Sequence, residues 1–285
     1  MRLRTILVYL TVIFFCLFCH QIGTAGQKLH YNFEKGKVYK YSTIIESKTS
    51  GQSMGQEFTM TYGAEFDYSI SLVSSNTGVL TLMVKFEKYN IKLNFPMMGF
   101  NDSTIVMQEY VGKRMKVVIT DKGKTLSVVP IDTIPPTRVQ MMVNLTPNDL
   151  FKQVLLELPE KELDLNGSWK KDMPDTISRS GMKMVVKPNI VFNIVAAEKK
   201  NDFNCWKIAI AGTSAIEGGG NQRGADVTID GTVKINGVAY IAPAEGVFVL
   251  SEQSNETEMT TTATGSQTGA STMSVNTTVK TTLIK

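Results

Sequence analysis

The sequence predicts a mainly β protein: a strongly curved antiparallel sheet, or sheets, built from two pseudo-repeated β-meanders with one connecting amphipathic helix, α+β being the alternative class. Three observations carry this. Apolar and polar residues alternate along most of the chain, which is the period of a half-buried strand. Clusters of turn-forming residues separate the alternating runs. Two runs also recur at one offset, since Met60 to Met184 and Tyr68 to Phe192 each span 124 positions, and Gly123 precedes Gly246 by 123.

The first 25 residues predict an address. Arg2 and Arg4 precede an uncharged apolar run from Ile6 to Phe18, and a short polar stretch closes on Gly23-Thr24-Ala25. That is the layout of a secretory signal peptide, with the mature chain starting near Gly26 or Gln27. The run is shorter than the roughly 20 apolar residues that span a bilayer, and no later segment approaches that length. Cys19 follows Phe18, where lipoprotein processing wants a small residue, so lipid anchoring is not expected. The expected location is periplasmic, cell-surface or extracellular.

Residues 26–133 make the first β-rich half. Phe58, Met60 and Tyr62 alternate, as do Phe66, Tyr68, Ile70 and Leu72. After the turn residues Ser75-Asn76-Thr77-Gly78 the rhythm resumes at Leu80, Leu82, Val84 and Phe86. Met115 to Ile119 and Leu126 to Val129 read as a hairpin about Thr120 to Lys124.

The connector, 134–165, changes period. Thr146 suits an N-cap and Pro147 the first helical position. Leu150, Phe151, Val154, Leu155 and Leu158 then form a helical stripe closed by Pro159.

Residues 166–285 make the second half. Trp169 opens it; Met182, Met184 and Val186 alternate; Phe192 and Ile194 follow; and a turn at Lys199 to Asp202 leads to Trp206, Ile208 and Ile210. Gly218 to Gly224 reads as a flexible connection between strands, because it lacks the Lys-Ser/Thr ending of a P-loop. The Thr-rich tail from Glu256 to Thr282 reads as a twisted hairpin turning at Gly265 to Gly269, in preference to a disordered stalk, because the second half otherwise lacks its closing strands.

Composition argues against catalysis. Without the leader, His30 is the only histidine and Cys205 the only cysteine, so neither an intramolecular disulfide nor a Cys/His zinc site is available. His30 reads as an exposed residue near a mobile end, and Cys205 as a packed structural cysteine. Asp226 and Asp230 lack the spacing of a calcium loop. The whole chain carries 30 Lys+Arg against 26 Asp+Glu, without the clustered basic face of a nucleic-acid binder. No enzyme activity, metal, cofactor or nucleic-acid partner is expected.

Methionine is the compositional signal that points to a ligand. Flexible thioethers fill ordinary cores and also suit cavities that take apolar molecules of variable shape. The pairs Met97-Met98 and Met141-Met142 fall in connectors beside Phe95, Phe100 and Val143, where apolar groups need a partner. Met97, Met98, Met141, Met142, Phe151 and Leu155 are therefore the candidate ligand-binding residues, in a groove between sheet and helix, with a lipid or other apolar small molecule as partner. The alternative is a structural or adhesive cell-envelope protein whose Thr-rich tail and edge strands engage other envelope components, a reading that deletion from Glu256 onward separates from the first.

Phe33-Glu34-Lys35-Gly36-Lys37-Val38-Tyr39-Lys40-Tyr41, Asn166-Gly167-Ser168-Trp169 and Ala244-Glu245-Gly246-Val247 give the chain a resemblance to uncharacterised secreted bacterial proteins with two β-meander halves. That resemblance implies no activity. More distantly, a curved antiparallel sheet with a helix across it looks like the half-barrel of periplasmic lipoprotein carriers, which implies acyl chains held between sheet and helix.

Overall fold

The computed structural model describes residues 26–53, 55–133, 155–179, 181–222, 224–265 and 268–284. The expected leader, and the expected helix as far as Val154, lie outside the described residues.

Alternation becomes strand throughout. The first half supplies β1 (Val38–Ser53), β2 (Gln56–Asn76), β3 (Val79–Phe95), β4 (Phe100–Val106), β5 (Arg114–Thr120) and β6 (Thr125–Pro130). The second supplies β7 (Ser168–Lys171), β8 (Asp175–Arg179), β9 (Met182–Lys200), β10 (Phe203–Gln222), β11 (Ala225–Ala242), β12 (Val247–Gly265) and β13 (Gly269–Leu283). All belong to one open, curved antiparallel sheet in the order β6-β5-β3-β2-β1-β13-β12-β11-β10-β9-β7, with β4 also paired to β3 and β8 to β9.

The expected turns sit where two residues of positive φ reverse the chain: Thr77 and Gly78 between β2 and β3, Asn201 and Asp202 between β9 and β10. The Thr-rich tail is the hairpin β12–β13 and lies in the middle of the sheet, where β13 pairs with β1 from Tyr41↔Leu283 to Ser53↔Ser271 and joins the two halves. Threonine suits this position because its branched carbon packs on a pleated surface while its hydroxyl bonds across strands. Thr43 and Thr281 do so at 2.9 Å, and Ser47 and Thr277 at 3.0 Å. Deletion from Glu256 onward would thus remove the centre of the sheet, so it cannot serve as the test of adhesion.

Two expectations are corrected here. Gly218, Gly219 and Gly220 are not a flexible connection but part of β10. A β-carbon on Gly218 would stand 2.5 Å from the Lys183 carbonyl oxygen across the sheet, so the strands come closer than any side chain allows. The end of the expected helix, Leu155 to Pro159, is not helical. Its polar groups are spent on other parts of the chain: the Leu156 carbonyl accepts from the Tyr31 hydroxyl at 3.0 Å, the Glu157 carbonyl from Trp169 Nε1 at 3.1 Å, and the Leu158 amide donates to the Lys122 carbonyl at 2.8 Å.

The strands have a base end and a far end. At the base lie the turns β2–β3, β5–β6, β9–β10 and β11–β12; at the far end lie the hairpin turns β1–β2, β10–β11 and β12–β13. The dry core fills the base. Tyr41, Phe66, Tyr68, Phe86, Tyr110, Ile208 and Phe248 are buried in it, and Tyr41 donates its hydroxyl to the Phe248 carbonyl at 3.0 Å.

The chain before β1 is also core, contrary to the expectation of a mobile end. Leu29, Tyr31 and Phe33 are 0, 1 and 1 % exposed. The Tyr31 amide donates to the Asp121 carbonyl at 2.7 Å and the Asn32 amide to the Gly246 carbonyl at 2.8 Å. His30, between two buried residues, faces solvent as expected. Buried Lys122 donates from Nζ to the Leu29 carbonyl, and burial lowers its pKa.

Candidate functional site

Strand length exceeds what the core needs. The 21 residues of β2 extend over roughly 70 Å at about 3.3 Å per residue. Register fixes which side chains share the inner face at each level. Near the base, Phe66, Thr43, Thr281, Ser251, Ala239, Ile208 and Ile194 form one cross-strand row, and all are buried. Across these strands the continuous core extends to the level of Tyr62, Ile235 and Ile190, and beside β3 Phe100 packs against it one row further out.

Further out the inner face turns apolar again. Phe58, Gly51, Met273, Met259, Gly231, Ile216 and Val186 stand opposite one another across β2, β1, β13, β12, β11, β10 and β9. The next row towards the base reads Met60, Thr49, Val275, Thr257, Val233, Ser214 and Pro188. In the outer row every residue is half-buried and none joins the continuous core. Beyond it Val227 and Ile229 are buried, again apart from that core.

This level is shaped by glycine. A β-carbon on Gly51 would lie 2.3 Å from the Thr272 carbonyl oxygen, and one on Gly231 2.7 Å from that of Glu258. A depression of about 720 Å³ is lined by Gly51, Met273, Met259, Gly231 and Ile216 of this row and by Ser50, Glu217, Asp230, Glu258 and Thr272, whose side chains alternation turns to the opposite face.

The opposite face is wet. Lys234–Glu256 and Lys187–Glu217 pair at 3.4 and 2.6 Å, and Lys280 pairs with Glu252, all with substantially exposed side chains. Such pairs stabilise little but keep the face charged and solvated. The apolar inner rows and the charged outer rows therefore alternate along the same strands, which is the amphipathic pattern of a sheet with one protected face.

The candidate residues chosen from sequence are not gathered at this place. Met97 lies in the short 3-10 turn Pro96–Met98 at the far end of β3 and is 65 % exposed. Leu155 is buried at the base, at the other end of the strands. The side chain of Met98, and Met141, Met142 and Phe151, lie outside the described residues. Met259 and Met273, read from sequence only as strand residues of the Thr-rich hairpin, and Ile216 of β10 were not among the candidates; their signal was alternation along their strands.

Cys205 and His30, read from sequence as a packed and an exposed side chain, lie apart from the depression. Cys205 is 1 % exposed, its Sγ contacts the Lys200 carbonyl at 3.9 Å, and burial pushes its thiol up to about 11, which keeps it protonated and unreactive. His30 Nδ1 lies 3.1 Å from the Lys28 carbonyl in the exposed part of the N-terminal segment. Among the described residues no group of three or more His, Cys, Asp or Glu side chains is placed to hold a metal ion, and no helix is long and apolar enough to cross a membrane.

No protein-family model and no curated protein matches the chain. Among solved structures, one described as lipid–protein interactions in lipovitellin is similar over 89 % of this chain, at 12 % identity and a TM-score of 0.48. The match covers 26 % of that protein, so this chain spans about a quarter of its length.

Proposed function

We propose that this is an exported, non-catalytic binding protein that holds an apolar ligand, of the size of a lipid acyl chain, against the far half of the inner sheet face. One observation carries the reading: across β2, β1 and β13 to β9 the continuous core ends at the level of Tyr62, Ile235 and Ile190, while a half-buried apolar row continues further out on the same seven strands. At about 4.8 Å per strand that row follows an arc of roughly 30 Å. Its methionines adapt to an uneven apolar partner more readily than branched side chains do. In the adhesive alternative the Thr-rich tail, as central strand, is not a detachable stalk, which leaves the edge strands to carry that reading.

The test is titration of the protein with a fluorescent long-chain fatty acid, beside extraction and mass spectrometry of whatever the native protein retains. Saturable binding at one site is expected. A Met259→Asp, Met273→Asp double variant is expected to weaken it at least tenfold, about 1.4 kcal/mol, with the circular dichroism spectrum unchanged. No saturable binding, or equal binding by the double variant, would sink the proposal.

A further inference from the structure

We infer that the chain is cut between Ala25 and Gly26, and that the α-ammonium group so created is captured by Asp164 and Glu162, tying the start of the mature chain to the strap at 155–167. The inference shares the export reading with the proposal above but is independent of any ligand.

Gln27 is docked on the strap through its backbone. The Gln27 amide donates to the Leu163 carbonyl at 2.9 Å and the Leu163 amide to the Gln27 carbonyl at 3.2 Å. This reciprocal antiparallel bridge places Gly26 beside Asp164. A β-carbon on Gly26 would lie 3.4 Å from Asp164 Oδ1, 3.8 Å from Glu162 Oε2 and 3.3 Å from Glu162 Cβ. The Gly26 nitrogen is two bonds, about 2.5 Å, from that point, so Asp164 Oδ1 and Glu162 Oε2 lie at most about 6 Å from it. Neither carboxylate has an ion-pair partner among the described residues, and Gly26, Glu162 and Asp164 are all exposed.

In the uncut chain the Gly26 nitrogen is a neutral amide and these carboxylates face no charge from it. A peptidase adds one water across the Ala25–Gly26 bond; Ala25 leaves with a carboxylate, and Gly26 keeps the nitrogen, which takes up a proton as an ammonium. The charge therefore appears only on processing. It acts on a segment that matters to the fold, because Leu156, Leu158 and Leu163 of the strap are part of the core and the Leu156 carbonyl holds the Tyr31 hydroxyl.

The experiment has two readouts on protein exported from its native host. Intact mass and N-terminal sequencing are expected to give a chain starting at Gly26; a start at any other residue overturns the inference. The α-amino group is expected to titrate roughly half a unit or more above its ordinary value of about 7.7–8.0. Asp164→Asn with Glu162→Gln is expected to return it to that range; the same midpoint in both proteins overturns the ion pair. A form carrying one extra alanine before Gly26 serves as control, with the double substitution expected to leave its thermal midpoint unchanged. A failed ligand titration leaves both results intact, so failure of this inference and failure of the binding proposal are distinguishable.

Discussion

The tyrosines of the base make alkaline pH the sharpest test of the packing. Tyr31, Tyr41 and Tyr68 are each 1 % exposed, and burial raises all three pKa values above the ordinary 10.0. Burial likewise pushes Tyr62 up to about 12. A folded pKa above the unfolded one means stability fully present below pH 10 and lost as the pH rises beyond it, because the unfolded chain then releases protons the folded chain retains. Each such tyrosine costs about 1.4 kcal/mol per pH unit, so the three together cost about 4 kcal/mol per unit. Against a net stability at the low end of about 5–15 kcal/mol, this places cooperative unfolding near pH 11, and higher for a more stable chain. Lys122 acts in the opposite sense: its pKa is lowered from 10.5, so its burial penalty is relieved as the pH climbs towards that value and adds nothing beyond it. The assay follows tyrosinate absorption and far-ultraviolet circular dichroism on the same samples. Most tyrosinate absorption is expected to appear together with loss of the β signal. A full tyrosinate transition near pH 10 with the sheet intact would refute the packing argument.

Three further outcomes are expected. Gly218→Val places a β-carbon 2.5 Å from the Lys183 carbonyl oxygen and should lower stability by about 1–3 kcal/mol, read as a fall in thermal midpoint; an unchanged midpoint would show that the strands are not held so close. Tyr31→Phe leaves the buried Leu156 carbonyl without its 3.0 Å donor and should cost about 1–3 kcal/mol in denaturant titration, a neutral result meaning that the strap is not docked as described. The Arg114 guanidinium donates to both oxygens of Asp132 at 2.9 and 3.0 Å and holds its carboxyl at about 2, below the ordinary 3.8. That contribution is present above the ordinary value and lost as the pH falls through about 2. Arg114→Met should return the Asp132 midpoint, followed by carbon-detected NMR, towards 3.8; an unmoved midpoint would remove Arg114 as the cause.

Alternation made most of this fold legible, because each β-strand is short-range chemistry written at period two. Tyr39 and Tyr41, Phe66 and Tyr68, and Leu82 and Val84 face the core as their spacing requires. The N-terminal segment carries the same signal at Leu29, Tyr31 and Phe33, and was passed over because only one short run stands there beside a presumed mobile end. The glycines of β10 misled for a different reason: glycine marks turns and close backbone approach alike, and only the neighbouring Lys183 carbonyl distinguishes them.

The candidate site was less legible than the fold. Met259 and Met273 are 14 positions apart in a segment whose composition resembles a stalk, and Phe58, Gly51, Gly231 and Ile216 come from three other parts of the chain. What aligns them is register across seven strands, fixed by long-range pairing such as β1 with β13. The sequence by itself determined the class of fold, the strand faces, the main turns and the scarcity of histidine and cysteine, all of which follow from local patterning and residue composition. Only the tertiary structure decided that the tail closes the sheet at its centre, that the N-terminal segment seals the base, and that the apolar inner face outruns the core, since each depends on which distant strands become neighbours.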